Sequence, residues 1–438
     1  MMRFSLIVIL IILLARSAKA QENLLSKWEA VEQALEFNYD IKVANNNVKI
    51  AQNNAKILSS GFLPIISTTS GINYTDRSIK QENENAISFN PGGSTLTYSS
   101  SLGINYTLFD GLGRQYSFKK AQQNAQLSDI QARQIVEGAL LQLFIAYYAV
   151  ARLSENKISQ KQSLEISKER LLRAQYSYEY GQNTQLDVLN AEVDVNNDSI
   201  NYLTVIQGLD NSKRDLNLLL GRDVNTPLKV DTAVKYIQNL NLQQVVTMAE
   251  ERNTAILQAN NLIRSSEYDI RINNAGWMPV VGLSASYSWT KNDYDATSNF
   301  ADQRIIGPNA GINLSWNLFD GGATSTRVQN ARISLDSERI SREKTLQQLY
   351  RDLNNAWTVY QTALFVRDAQ KKNLETNRRN FERTLEQNKL GQVTSIEFRQ
   401  AQINLLNARL SFNQAKYAAK NAELVILQIS GSLLDTEF

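Results

Sequence analysis

One unit of sequence occurs twice in this chain, and that duplication restricts the fold more than any other feature. Gly61-Phe62-Leu63-Pro64 recurs as Gly276-Trp277-Met278-Pro279, 215 positions on, and Leu108-Phe109-Asp110-Gly111 recurs as Leu318-Phe319-Asp320-Gly321 at 210. Gly181-Gln182 returns as Gly391-Gln392, and Leu220-Gly221 matches Ser430-Gly431, again at 210. Four anchors in one order, with a five-residue length difference confined to one loop, describe a single supersecondary unit present in two copies.

Within each unit the hydrophobic period changes in a fixed order. Residues 28–60 show helical spacing, which Pro64 breaks, and alternation follows. Leu96, Tyr98, Leu102, Ile104, Tyr106 and Leu108 point one way, and Thr97, Ser99, Ser101, Asn105 and Thr107 the other. The second unit repeats this with Val281, Leu283, Ala285, Tyr287 and Trp289, then with Ile312, Leu314, Trp316 and Leu318. These are strands with one apolar and one small polar face, and at roughly 10 to 13 residues they match a tilted bilayer crossing. A soluble β-sandwich would alternate too. Against it, the polar faces carry almost no charge, and Tyr98, Tyr106, Tyr287, Trp289 and Trp316 sit toward strand ends, where membrane girdles lie. Residues 77–94 and 291–307 are polar and read as the joining loops.

After each strand pair, Asp-Gly turns the chain into very long helices. Residues 323–390 contain no Gly or Pro, and 112–180 contain only Gly113 and Gly138. Leu346, Leu349, Leu353, Ala356, Tyr360 and Leu364 form a slim apolar seam at spacings of three and four, and the remaining faces are polar. Rods of about 100 Å follow from the rise of 1.5 Å per residue. Pro64 and Pro279 end helices and set up the strands, and Gly111 and Gly321 are turn glycines beside Asp110 and Asp320, which read as turn and helix-cap residues.

Cysteine and histidine are both absent, which excludes disulfides, thiolate or imidazole metal sites and Ser-His-Asp or Cys-His catalysis. No cofactor is expected, and no enzyme: no acid pair converges except at two hairpin tips. Lys+Arg number 46 and Asp+Glu 43; Arg3, Arg16 and Lys19 lie in a segment expected to be removed, which leaves 43 of each. With no basic excess or cluster, nucleic acid is not an expected partner. That segment, residues 1–20, has a cationic start, an apolar run over 4–15 and Ala18-Lys19-Ala20, and reads as a secretory signal peptide. No later segment reads as a transmembrane helix, so membrane entry is expected as β structure. The remaining boundaries are residues 21–220 and 242–438 for the two repeats, with 221–241, around Pro227, as the link.

Four strands cannot close a barrel, and an open sheet edge in lipid leaves backbone groups unsatisfied at several kcal/mol each. Other copies of the chain must therefore close it, and two or three copies both satisfy barrel geometry. The expected fold class is an α+β membrane protein, two repeats of long helices plus a β-hairpin, whose shared barrel in outer-membrane lipid continues into a helical periplasmic tube that carries solutes across. A structural tether or adhesin that uses the helices as a spacer is the alternative, but it has no need of two matched tips.

Each unit carries a helical hairpin whose turn holds Gly181 or Gly391, followed by Thr184-x-x-Asp187 or Thr394-x-x-Glu397 at identical offsets. That spacing is a capping box. If the tips form the periplasmic mouth, Asp187 and Glu397 from several chains would also make a cation-favouring carboxylate ring. Tyr176, Tyr178 and Tyr180 precede the first tip and could pack a closed mouth or fill interhelical seams.

The signal peptide, the duplicated helix–strand–strand–helix–helix unit, Gly-x-x-Pro before each first strand, Leu-Phe-Asp-Gly after each second strand and the matched tips resemble the TolC family of outer-membrane efflux proteins, from about Leu24 to the C-terminus. The resemblance implies a homotrimer with a twelve-stranded barrel and a twelve-helix tunnel in the outer membrane of a Gram-negative bacterium. It implies a passive exit duct for efflux or type I secretion, recruited by a periplasmic adaptor and energised by an inner-membrane pump. By the same resemblance, Asp187 and Glu397 belong to the entrance ring, and Gly181, Thr184, Gly391 and Thr394 to the adaptor-contacting tips. Asn190 and Gln400 stand where some members carry another acid, and Asn183 and Val393 where a basic residue is frequent. The family's usual closing network is thus incomplete here, which predicts a weaker cation preference.

Overall fold

The duplicated sequence folds into duplicated elements. A computed structural model describes residues 24–83, 86–182, 184–238, 240–295 and 302–436, with side chains described outside 78–92. The expected signal peptide and Asn183 lie outside the described residues. The first repeat runs β1 (Leu24–Leu25), α1 (Lys27–Phe37), α2 (Tyr39–Asn54), β2 (Ile65–Asn83), β3 (Ala86–Phe109), α3 (Gly113–Glu179) and α4 (Gln185–Leu219). After β4 (Lys229–Val230) the second repeat follows: α5 (Leu242–Arg252), α6 (Thr254–Asn274), β5 (Val280–Tyr294), β6 (Asp302–Ser315), α7 (Ala323–Lys389) and α8 (Ser395–Ile429). Two compact units result, one of Val48–Asp129 and Ala259–Arg342, the other of Met1–Asn47, Ile130–Gln258 and Glu343–Phe438.

The first of these units carries a four-stranded antiparallel sheet in the order β2-β3-β5-β6. Its register keeps the alternation in step from strand to strand. Ile66, Ile104, Ala285 and Ala310 form one cross-strand row, and Ser67, Gly103, Ser286 and Asn309 form the next, on the opposite face. Ile72 and Ile312, on the apolar face, are each 71% exposed. A contiguous band of this kind calls for lipid and not water. From Tyr98 to Leu108 the strand measures about 33 Å, or about 25 Å along the membrane normal at a tilt near 40°.

The strands are longer than the sequence suggests: 19 and 24 residues for β2 and β3, 15 and 14 for β5 and β6. Most of 77–94 and much of 291–307, read above as loops, is strand. A hairpin goes on pairing past the bilayer because its strands satisfy each other's backbone groups whatever side chains they carry. Polarity there marks the end of lipid contact, not the end of the strand. Pro91 falls where the β2–β3 register shifts between Arg77 and Ile79, and Pro308 lies on the edge strand β6, the positions where a missing N–H is tolerated.

The turns that join sheet to helix follow the sequence reading. Short 3-10 turns, Ile57–Ser59 and Ala275–Trp277, close the preceding helices, and Pro64 and Pro279 lead directly into β2 and β5. Asp110 Oδ2 accepts from the Arg114 backbone N–H at 2.8 Å, and Asp320 Oδ2 from that of Thr324 at 2.8 Å. Gly111 and Gly321 hold φ of 68° and 67°.

In the second unit, Leu140, Leu143, Phe144, Tyr147 and Tyr148 of α3 are fully buried with Leu216, Leu220 and Leu424. This run is a correction to the reading that no later segment is apolar enough to span a membrane. Among the described residues, Gly113–Glu179 holds one stretch that is long and apolar enough, and half of it is buried inside the protein, so it is core and not span. The seam foreseen on α7 packs as expected, with Leu349, Leu353 and Tyr360 buried against Val245, Ala249 and Ile256. Segment 221–241 contributes Leu228 and Val230 to the core, pairs β4 in parallel with β1, and is tied down by Tyr236, whose hydroxyl donates to Lys416 O at 2.7 Å.

One duplicated device escaped the sequence reading. Asn38 Oδ1 accepts from the Asp40 and Ile41 N–H groups, at 2.9 and 3.2 Å, while its Nδ2 donates to Leu219 O at 2.8 Å. Asn253 does the same, capping at Ala255 and Ile256 and donating to Ile429 O at 2.8 Å. Each asparagine starts one helix and satisfies the last carbonyls of another.

Candidate functional site: the hairpin tips and the polar cluster behind them

Both tips are built identically from backbone chemistry. Gly181, at φ 72°, takes the left-handed position that ends α3, with Gln182 N–H donating to Ser177 O at 2.7 Å and Gly181 N–H to Tyr178 O at 2.9 Å. Gly391, at φ 71°, ends α7 with the same pair of bonds, Gln392 to Gln387 O and Gly391 to Asn388 O. Thr184 and Thr394 then begin α4 and α8 with complete capping boxes. Thr184 N–H donates to Asp187 Oδ2 at 3.1 Å and Thr394 N–H to Glu397 Oε2 at 2.8 Å, while each threonine oxygen accepts from the backbone N–H of the acid. The Thr394 backbone and hydroxyl bonds hold the Glu397 carboxyl below its usual range.

The capping role is therefore realised at both tips. It leaves the second carboxylate oxygen of Asp187 and Glu397 available at an exposed or half-exposed surface. Asn190 and Gln400 are exposed one turn on, with Gln400 Nε2 donating to Asn404 Oδ1 at 2.8 Å. Val393 is half-buried. Tyr176, Tyr178 and Tyr180 are 52%, 46% and 79% exposed, so they fill no seam within one chain. Leu186, Leu189 and Ile396 are exposed as well.

Behind the tips lies a cluster that the sequence reading missed. Arg399 of α8 reaches across to α4, placing Nη1 2.7 Å from Asp198 Oδ2 and Nη2 2.9 Å from Asp198 Oδ1. Ser167 of α3 donates to the same carboxylate at 2.5 Å, and Gln402 Nε2 donates to Ser163 O at 2.8 Å. Asp194, one turn before Asp198, takes Arg170 at 3.0 Å and Arg399 Nε at 3.3 Å. Burial alone would push the Asp198 carboxyl up, but the bonds from Arg399 and Ser167 outweigh it and hold it below the usual range. The cluster fastens the α3–α4 hairpin to the α7–α8 hairpin of the same chain. A comparison of the repeats could have exposed it, because Arg399 corresponds to Leu189 and Asp198 to Ala408 at the 210 offset.

Among the described residues no group of three or more acids is placed to hold a metal ion. The arrangement is two matched, exposed, acid-bearing tips backed by an ion-pair cluster.

Comparison with known proteins agrees with this architecture. The chain is 20% identical over 336 residues to the outer membrane efflux protein BepC of Brucella suis, covering 75% of this chain and 71% of the relative. It is 20% identical over 446 residues to the proteases secretion protein PrtF of Dickeya chrysanthemi, covering 99% and 93%. The crystal structure of the Campylobacter jejuni CmeC outer membrane channel shares the fold, with a TM-score of 0.73 at 15% identity over 93% of this chain and 86% of that one. The sequence profile of the family described as outer membrane efflux protein matches residues 30–222 and 245–432, both repeats, and the chain belongs to that family.

Proposed function

We propose that the protein is a homotrimeric exit duct of the outer membrane, in which three four-stranded sheets join into a twelve-stranded barrel and the helices into a twelve-helix periplasmic tube. Family membership makes it an outer-membrane channel for efflux or type I secretion. A periplasmic adaptor recruits it at the tips, around Gly181, Thr184, Gly391 and Thr394, and an inner-membrane pump supplies the energy. One observation carries the reading: a sheet with one mainly apolar face, a Ser/Thr/Gly/Asn face and two open edges, β2 and β6, is tolerated in lipid only as part of a closed ring around water.

In this reading Asp187 and Glu397 line the periplasmic mouth with the carboxylate oxygens that capping leaves free, and Asn190 and Gln400 stand beside them as neutral groups. The ring attracts cations, more weakly than a mouth with a second tier of acids would. Purified protein in a planar bilayer is expected to give small, mostly closed currents that rise, with reduced cation preference, in Asp187→Asn/Glu397→Gln. Unchanged conductance and selectivity in that variant would remove the gate assignment. No conduction at all, in either protein, would favour the tether.

A further inference from the structure

We propose that each chain carries a site for one anionic glycerophospholipid of the periplasmic leaflet, at the foot of its sheet, where β3 turns into α3. The proposal rests on the reading that the sheet spans the outer membrane with the helices on its periplasmic side. It adds a ligand class, a position and the residues that hold the headgroup.

A cavity of about 560 Å³ opens there, between the 3-10 turn at Ile57–Ser59, the end of β3 and the first turns of α3. Ile57, Phe62, Leu108, Phe109, Leu112 and Phe118 make its lining mainly apolar, and its size is that of a small-molecule site. It is continuous with the lipid-facing side of the sheet. The register of β3 against β5 shifts between Thr107 and Phe109, which makes Leu108 the extra residue of a bulge. Phe109 then stands opposite Val281, on the apolar face, and Leu108 and Phe109 are 47% and 38% exposed. An acyl chain lying along that face reaches the cavity at its periplasmic end.

The polar rim selects the headgroup. Arg114 is fixed by Nε donating to Asp110 Oδ2 at 3.1 Å and Nη1 to Gly61 O at 3.0 Å. Its Cζ lies 5.4 Å from the Phe62 ring centroid and 5.9 Å from that of Tyr106. The guanidinium thus sits where the aromatic foot of the sheet meets α3, and Nη2, which bonds to no described residue, is left for a phosphodiester oxygen. Lys119, also on the cavity wall, lies 5.7 Å from the Tyr116 ring centroid and forms no salt bridge with a described residue. Two cations face one carboxylate, Asp110, and the surplus positive charge favours an anionic headgroup over a zwitterionic one.

The second repeat shows that this foot is more than the way such a turn is built. Leu112 holds φ 68°, the one non-glycine among the described residues in the left-handed region. Its counterpart at the 210 offset is Gly322, at φ 86°. That backbone strains a leucine and not a glycine, yet position 112 presents an apolar side chain to the cavity. Strain kept in one copy and absent from the other points to a use for the side chain. The basic pair is confined to the first copy too: Arg114 and Lys119 correspond to Thr324 and Gln329, and Phe118 to Val328. One site per chain follows.

Native mass spectrometry of the full-length protein, released from detergent containing equimolar phosphatidylglycerol and phosphatidylethanolamine, counts the lipids retained. One phosphatidylglycerol per chain is expected, at about fivefold preference, the worth of one surplus cation near a lipid surface. Lys119→Gln, which installs the residue of the second repeat, should bring the preference close to parity, and Lys119→Arg should keep it. Leu112→Gly should melt no lower than the unaltered protein yet retain less of either lipid, a separation that a purely structural leucine would not give. Gln329→Lys puts the same charge at the second foot and should leave the count at one per chain. Undiminished preference in Lys119→Gln, unchanged retention in Leu112→Gly or a second phosphatidylglycerol in Gln329→Lys each overturns the site. Displacement by an excess of soluble glycerol phosphate would show that the headgroup alone is bound, and overturns the lipid. Protein that needs detergent but keeps both lipids equally loses the site alone. Protein that keeps neither and stays soluble without detergent loses the membrane-spanning reading with it.

Discussion

Arg399 and Asp198 form a two-pronged ion pair that binds one helical hairpin to the other, with side chains only 12% and 3% exposed. A guanidinium buried without its carboxylate, or the reverse, keeps its desolvation penalty and loses its compensation. Arg399→Ala and Asp198→Ala are each expected to lower stability by about 3–5 kcal/mol. The joint replacement Arg399→Leu/Asp198→Ala restores the residue types that the opposite repeat carries at these positions, Leu189 and Ala408. It should cost less than either single change. Denaturant titration of the four proteins in detergent measures the coupling; additive losses would show that the pair is not the unit holding the hairpins together.

Acid should loosen the same junction. The Asp198 carboxyl is held below its usual range in the folded protein, so it contributes stability that is fully present above the unfolded carboxylate value, about 3.9, and is lost as pH falls through the lower folded value. Between pH 5 and 8 this group leaves melting temperature unchanged; below about pH 4 it lowers it. Asp198→Asn should melt lower at neutral pH and lose less on acidification. A steep decline between pH 7 and 5 that disappears in Asp198→Asn would contradict this assignment.

The two capping boxes separate structure from transport at the tips. Thr184→Ala and Thr394→Ala remove the acceptor for one free amide and the partner of the acid, which should cost about 1 kcal/mol each and raise hydrogen exchange in the first turns of α4 and α8 several-fold. Serine at either position keeps the oxygen and should restore protection. If Asp187→Asn and Glu397→Gln changed exchange as strongly as the threonine variants and left conduction alone, the acids would be caps and nothing more.

Periodicity and duplication made much of this architecture readable beforehand, and the failures have physical causes. Strand faces, turn glycines, prolines and capping boxes depend on neighbours within a few residues, so Leu102, Gly111, Pro279 and Thr394 stand where local chemistry puts them. Strand ends were misplaced because side-chain polarity reports lipid contact and not backbone pairing. The apolar run around Leu143 could not be told from a membrane span by composition, since a fully buried core helix has the same pattern. The Arg399–Asp198 pair joins positions 201 apart, and no local rule reaches that far. Asn38 and Asn253 were legible in principle, as asparagines in equivalent places before helices, but their bonds to Leu219 and Ile429 are tertiary.

Four glycines share one backbone conformation and differ in what surrounds them, which makes them a graded test of the packing. Gly181, Gly221, Gly391 and Gly431 all end long-hairpin helices with φ between 67° and 72°, so alanine at any of them carries a similar left-handed strain of about 1–2 kcal/mol. At Gly181 and Gly391 a Cβ would meet nothing within 4 Å, and that strain should be the whole effect. At Gly431 it would lie 2.7 Å from Arg252 O, and at Gly221 only 2.2 Å from Phe37 O, backbone atoms that cannot rotate away. To make room, the end of α1 must move, stretching the 2.8 Å bond from Asn38 to Leu219 O. Melting temperatures of the four alanine variants should therefore fall in the order Gly181 and Gly391 least, Gly431 more, Gly221 most, with Gly221→Ala losing well over 3 kcal/mol or failing to assemble. Equal losses at all four positions would mean that φ alone decides, and that the close approach of the helix ends to Phe37 and Arg252 contributes nothing to the fold.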